Sequence, residues 1–269
     1  MNISASLVKQ LRERTGVGLM ACKDALTKAD GNIDDAVKWL REKGLASASK
    51  KASRDTSEGR VFIANEGNKA VILELNCETD FVASSHDFVS FGETLSTLIL
   101  NSDDIQTLED LKNKNVFEKT FDQAVADLIL KVGENIQVGK FEKLESENSI
   151  ATYMHSNFKI AALVSFNQSV ESDIAKDIAM QVVAARPRYV TPANVPEEEK
   201  AKEKAIIVSQ LSESGKPADL IEKIAEGKLN KFFKEICLME QPFIKDDKKS
   251  IKQLVPTNSV NQFICFALV

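Results

Sequence analysis

The chain reads as an α+β protein: a three-helix amino-terminal module precedes a core of two related units. Each unit is a three-stranded antiparallel sheet covered by helices, and an antiparallel helical hairpin is inserted in the second. Three observations predict this. Up to Gly44 the apolar residues recur at helical spacing with no strand pattern. Two strand–turn–strand patterns follow, Arg60 to Asn76 and Ile150 to Phe166, each succeeded by a helix-period stretch. Within the second unit, Pro196 followed by Glu197-Glu198-Glu199 opens a charged helical segment, because proline fits the first helical position and carboxylates suit the positive end of the dipole. The boundaries expected are 1–54 for the helical module and its linker, 55–142 for the first unit and 143–269 for the second, with the helical hairpin at about 188–226.

In order, Ser4 is positioned to cap a first helix carrying Leu7, Val8 and Leu11, which stops at Gly16. A second helix carries Leu19, Met20, Cys22, Ala25, Leu26 and Ala29. Asn32 caps a third, with Ile33, Ala36, Val37 and Leu40 inward and Gly44 as its C-cap. Leu45 to Gly59, Ser/Ala-rich with Lys50, Lys51 and Arg54, reads as a linker. A hairpin turns at Glu66-Gly67-Asn68. Two helices follow, one with Phe88, Phe91, Leu95, Leu98 and Ile99 in a stripe, the other with Phe117, Phe121, Val125, Leu128 and Ile129. A short strand at Ile136 to Phe141 closes the first unit.

The second unit repeats the order. Its hairpin turns at Ser156-Asn157, with Phe158 opening the return strand, and its helix, Glu171 to Arg186, stops at Pro187. Residues 262–268 supply the third strand. In the inserted hairpin Ala205, Ile206 and Leu211 form one apolar side, Ser214-Gly215-Lys216-Pro217 reverses the chain, and Leu220, Ile221 and Ile224 face back.

Composition narrows the function. With 269 residues, 28% charged and 43% hydrophobic, this is an ordinary globular composition long enough for two or three domains. A net charge of -5 argues against direct nucleic-acid binding. No apolar run approaches the roughly 18 residues of a membrane span, and the amino terminus turns charged at once, without a signal-peptide core. Four scattered cysteines, no CxxC and two histidines fit a reducing cytoplasm and neither a disulfide scaffold nor a zinc site. No cofactor or metal site is expected.

The most informative stretch is Cys77-Glu78-Thr79-Asp80-Phe81-Val82-Ala83, between the apolar strand Ala70 to Leu75 and a helix beginning near Asp87. A strand-to-helix connection with no Gly or Pro, and with an aromatic beside a carboxylate, is unusual. Such a Phe either folds back onto its own core, the commoner fate, or projects into something else, and Asp80 makes complete burial costly.

Covalent chemistry finds little support. Gly133 to Lys140 (GENIQVGK) has five residues between its glycines where a phosphate-binding loop needs four, has Phe141 where Ser or Thr must hold magnesium, and leads into a strand. Cys77 with His86 or His155 offers a cysteine-hydrolase alternative, against which stands the expected burial of Cys77 at a strand end.

Taken together, LVKQLRERTGVGLMACKDAL (Leu7 to Leu26), ELNCETDFVA (Glu74 to Ala83), KVGENIQV (Lys131 to Val138), SGKPADLIEKIAEGKLNKFF (Ser214 to Phe233) and QPFIKDD (Gln241 to Asp247) closely resemble the bacterial elongation factor Ts family. The resemblance implies a translation factor that exchanges guanine nucleotide on elongation factor Tu without covalent catalysis. It implies that the TDFVA loop inserts into the partner's nucleotide-binding domain and dislocates its magnesium, with Asp80 and Phe81 at the tip and Val82 and Ala83 behind. It implies that the first helices are a ubiquitin-associated-like module touching the same domain through Arg12, Leu19, Met20 and Lys23, and that His155 lies near the partner's other domains. It implies that the partner is bound in its GDP-bound and nucleotide-free forms, with the assembly either a 1:1 complex or a dimer of heterodimers. The chain departs from the family pattern at Ser156-Asn157-Phe158, where Gly is favoured after the histidine, and at Gly139-Lys140, where Arg-Arg is common. It also ends at Val269 without the carboxy-terminal helix of some relatives. A protein-interaction or ribosome-associated adaptor lacking exchange activity is the alternative from another class.

Overall fold

The computed structural model describes residues 3–212 and 217–268. The chain divides into two compact units. One draws on the chain up to Ala64 and on Val71–Lys143; the other draws on Asn65–Ala70 and Leu144–Ala267.

The first unit opens with α1 (Ala5–Thr15), α2 (Leu19–Lys28) and α3 (Ile33–Lys51). The Ser4 side chain accepts from Leu7 N–H and α1 ends at Gly16, while the Asn32 side chain accepts from Asp34 and Asp35 N–H. Each cap satisfies amide donors that a helix start leaves unpaired. Leu11, Val17, Cys22, Ala25, Leu26, Ala36 and Leu40 fill the space between the three helices.

Gly44 does not cap α3, and residues 45–51 are no linker: the helix runs on to Lys51. The reason is packing. Helix α7 (Phe121–Val132) lies along α3, and a Cβ on Gly44 would stand 3.3 Å from the Ala126 carbonyl oxygen. A bare Cα permits this close approach, at the ~1 kcal/mol that glycine costs inside a helix.

Strands β1 (Glu58–Glu66) and β2 (Lys69–Cys77) form the expected hairpin. Between them and β5 (Gln137–Glu145) come α4 (Asp80–Ala83), α5 (His86–Leu100), α6 (Leu108–Lys112), the short pair β3 (Asn115–Val116) and β4 (Lys119–Thr120), and α7. The sheet order is β1-β2-β5. Leu73 and Leu75 of β2, Phe88, Phe91, Leu95 and Ile99 of α5, and Leu128 and Ile129 of α7 share one core. Phe117 departs from the helical stripe assigned to it. It occupies the β3–β4 turn at φ 51°, half exposed, its ring 6.1 Å from that of Phe91.

In the second unit β6 (Ser149–Met154), β7 (Ile160–Phe166) and β10 (Val260–Ala267) form an antiparallel sheet of order β10-β7-β6. In register, Leu163 faces Thr152 on one side and Ile264 on the other. In both sheets the later strand pairs with the second strand of a hairpin. Helix α8 (Ser172–Ala185) packs Ile178, Ala179 and Val182 beneath β7 and ends at Arg186, before Pro187. Phe158 does not open the return strand; it sits in the turn at φ 57°.

Helices α9 (Glu197–Ser212) and α10 (Ala218–Ile236) form the inserted pair. α10 passes the expected end near 226, because Ile236 joins Cys237, Val195, Tyr189, Phe232 and Phe233 in a small cluster at its base. On α9 the buried stripe is Ile207 and Leu211, against Ala225, Ile221 and Ile224, and Ile206 is exposed. Neighbouring helical positions diverge by about 100°, so Ile206 and Ile207 cannot share the inner face. Leu220 is likewise exposed. The reversal assigned to Ser214-Gly215-Lys216 lies outside the described residues. Strands β8 (Pro242–Phe243) and β9 (Asp246–Ser250) and helix α11 (Ile251–Leu254) complete the unit. Among the described residues no helix is long and apolar enough to cross a membrane, and no group of His, Cys, Asp and Glu could hold a metal ion.

Candidate functional site

The connection from β2 to α5 is a single helical turn, α4, capped by Thr79 in extended conformation. The Thr79 hydroxyl oxygen accepts from Val82 N–H, and Ser84 N–H closes the turn onto Asp80 O at 3.0 Å. One face of this turn is spoken for. Ala83 is buried and, with Phe88, joins the core. Residue 81 lies about 200° around from residue 83 and points away from it. Phe81 is 83% exposed beside an exposed Asp80, and Val82 is half-buried. The commoner fate, a ring folded back on its own core, is therefore not the one adopted. Burying such a side chain is worth about 1.5–3 kcal/mol, which the free protein forgoes.

What holds the turn comes from a loop far along the chain. α7 ends at Gly133 with φ 83°, a left-handed cap that any side chain would strain, and the chain then swings Glu134 toward Thr79. Glu134 Oε2 accepts from Thr79 N–H at 2.9 Å and from Glu78 N–H at 3.1 Å, while Oε1 accepts from the Thr79 hydroxyl at 2.6 Å. Glu78 answers: its Oε1 accepts from Asn135 N–H at 2.7 Å and from the Arg54 guanidinium at 3.3 Å. The Asn135 N–H, with Arg54 second among the favourable partners, holds the Glu78 carboxyl below the ordinary carboxylate range. The buried Asn135 side chain donates to Arg54 O at 2.9 Å, and Lys51 donates to Gly133 O at 2.6 Å. Desolvation is the first cause of a lowered Lys51 pKa. The segment that fails as a phosphate-binding loop is thus a tether for the turn. Nothing local to Glu134 or Asn135 marks them as site residues; the one sequence signal is the polar step KVGENIQV between helix and strand.

Cys77 does not support a hydrolase. It is fully buried, its thiol donates to Thr79 O at 3.1 Å, and burial pushes its pKa up to about 12, removing the thiolate that nucleophilic attack requires.

The remaining candidates fall in two places. Arg12 on α1 and Leu19, Met20 and Lys23 on α2 are all exposed, Leu19 by 52% and Met20 by 70%. The interior positions of α2 belong to Cys22, Ala25 and Leu26, so both large side chains at its start turn outward. These residues and the Asp80–Ala83 turn lie in the first compact unit; His155 lies in the second. His155 is exposed at the β6–β7 turn, where its N–H donates to Ile160 O at 2.9 Å, and its ring stands 6.4 Å from Tyr153.

A family model described as "Elongation factor TS" matches residues 78–269. The chain is 42% identical over 266 residues to elongation factor Ts of Clostridium novyi (strain NT), an alignment covering 96% of this chain and 87% of that protein. It is 43% identical to elongation factor Ts of Xylella fastidiosa (strain 9a5c), covering 95% and 87%, and 42% identical to that of Methylococcus capsulatus, covering 99% and 92%. The chain belongs to the elongation factor Ts family of bacterial translation elongation factors.

Proposed function

We propose that the protein is the guanine-nucleotide exchange factor of elongation factor Tu, acting in the cytoplasm through the Asp80–Phe81 turn. The observation that carries this reading is a large aromatic side chain, 83% exposed, on a turn tethered at its base by three hydrogen bonds donated to the Glu134 carboxylate. A projecting apolar ring on a held backbone is suited to enter a partner, because little ordering is left to be done on binding. Phe81 acts as the wedge and Asp80 as its polar neighbour, with Val82 and Ala83 seating the turn on its own core. The partner elements that hold magnesium are displaced. A divalent ion bridging phosphates and protein is among the largest local charges in such a site, and contacts to it fall steeply with geometry.

Arg12, Leu19, Met20 and Lys23, on a ubiquitin-associated-like module, supply a second contact to the same domain, and His155 a third elsewhere on the partner. The chemistry is linkage. Weakening nucleotide binding by some factor means that nucleotide weakens binding of this protein by the same factor, so both GDP-bound and nucleotide-free partner are engaged. No covalent bond is made or broken.

The test is release of fluorescent GDP from purified elongation factor Tu. Acceleration by this protein at catalytic amounts is expected. Stable binding without acceleration would instead identify an adaptor.

A further inference from the structure

We propose that Glu134 is the positioning residue of the wedge: it fixes the hydroxyl of Thr79 and through it the turn that carries Phe81. This rests on the exchange reading above, and Glu134 makes its contribution through another side chain.

The geometry runs in one direction. A helix of four residues has no cooperativity of its own, since forming the first turn fixes several dihedrals for a single hydrogen bond. α4 therefore depends on its cap. Thr79 can cap only while its hydroxyl oxygen faces Val82 N–H. Glu134 Oε1 accepts the hydrogen bond that the Thr79 hydroxyl donates at 2.6 Å, which leaves the lone pairs of that oxygen free to accept. Glu134 Oε2 meanwhile fixes the Thr79 and Glu78 amides. Those partners lie 55 and 56 residues away in sequence, so the restraint is tertiary and does not fray with the turn itself.

The same loop is tied to the helical module. Asn135 binds Arg54 O, Lys51 binds Gly133 O, and Arg54 reaches Glu78. The end of α3 and the base of the wedge turn thus share one hydrogen-bonded network, wholly inside the first unit. A wedge held this way keeps its ring aimed when it meets resistance. Freed from Glu134, the ring would need ordering at the moment of binding, at a cost in rate.

The experiment measures the saturating rate of GDP release from elongation factor Tu with wild type, Glu134→Ala, Glu134→Gln, Phe81→Ala and the Glu134→Ala/Phe81→Ala pair. Glu134→Ala is expected to slow release about fivefold or more. Glu134→Gln keeps an acceptor for the Thr79 and Glu78 amides but turns an amide donor toward the Thr79 hydroxyl, so its release rate should fall between those of wild type and Glu134→Ala. In the Phe81→Ala background, Glu134→Ala should add less than about twofold, because it acts through the ring. Backbone amide exchange at Val82 and Ser84 should quicken in Glu134→Ala while Leu95 and Ile99 of α5 keep their protection. A wild-type release rate in Glu134→Ala, or an equal slowing in both backgrounds, overturns the proposal. If Phe81→Ala itself releases GDP at the wild-type rate, the exchange reading of the turn fails instead, and unchanged Val82 exchange in Glu134→Ala would still refute the tether on its own. Should Glu134→Ala lose the native circular dichroism, Glu134→Asp, one methylene shorter, takes its place under the same criteria.

Discussion

Two turns of this molecule each display an aromatic ring, and they are built in opposite ways. The β2–α5 turn presents Phe81 at 83% exposure on ordinary helical backbone, held by Glu134 from a distant loop. The β6–β7 turn presents Phe158 at 43% exposure on left-handed backbone, φ 57°, and is shaped by bonds within the turn: His155 N–H to Ile160 O, Phe158 N–H to His155 O, and Lys159 N–H to Asn157 Oδ1. Exposure by itself marks neither as functional, since single exposed apolar residues are common on protein surfaces. The difference lies in restraint. The first turn spends tertiary hydrogen bonds on keeping a hydrophobic ring in water, an arrangement that folding alone gives no reason to build. The second stores local strain, which fits a hairpin reversal lacking the glycine that its geometry favours.

The largest expected effect separates them outright. Phe81→Ala should slow GDP release by about tenfold or more, the loss typical of a central interface residue, whereas Phe158→Ala should remain within about twofold. Equal effects would erase the distinction. Next comes the Leu19→Ala/Met20→Ala pair, for which titration calorimetry should show affinity for elongation factor Tu weakened about fivefold with the saturated release rate little changed; a fall in the saturated rate would make the helical module part of the wedge. His155→Ala should cost about threefold in affinity with the saturated release rate little changed, and a fall in that rate as large as the one caused by Phe81→Ala would invert the ranking of the two turns. Smallest is the acid response of the tether. The folded Glu78 carboxyl titrates below the unfolded value of about 4.3, so its contribution is complete above that pH and is lost as pH falls through the folded value. Carboxyl-carbon NMR should place its midpoint below 4.3; a midpoint at or above it would mean that the Asn135 and Arg54 contacts do not hold in solution.

Much of this architecture was legible from local chemistry. Ser4, Asn32 and Pro196 announce helix starts because capping is decided by neighbouring residues, and both hairpins follow from apolar alternation around polar turns. What was hidden is tertiary. Gly44 reads as a stop until α7 supplies a backbone for it to touch. Phe117 continues a helical period on paper, yet it turns at φ 51° between two short strands. Ile206 and Ile207 are equivalent in sequence, and only the position of α10 chooses between them. The site shows the same division. Asp80 and Phe81 stand out by composition, but the outward aim of the ring, and the dependence of Thr79 on Glu134, rest on a contact spanning more than fifty residues that no local pattern encodes.

Whether the Asp80–Phe81 turn drives nucleotide release, beyond adding affinity, is decided by one measurement. Stopped-flow release of fluorescent GDP from elongation factor Tu, followed to saturation with the Asp80→Ala/Phe81→Ala variant, tests it most directly. The plateau rate should lie at least about tenfold below wild type, with native circular dichroism retained. A plateau equal to wild type, reached at higher protein concentration, would show that the turn only docks and does not drive release.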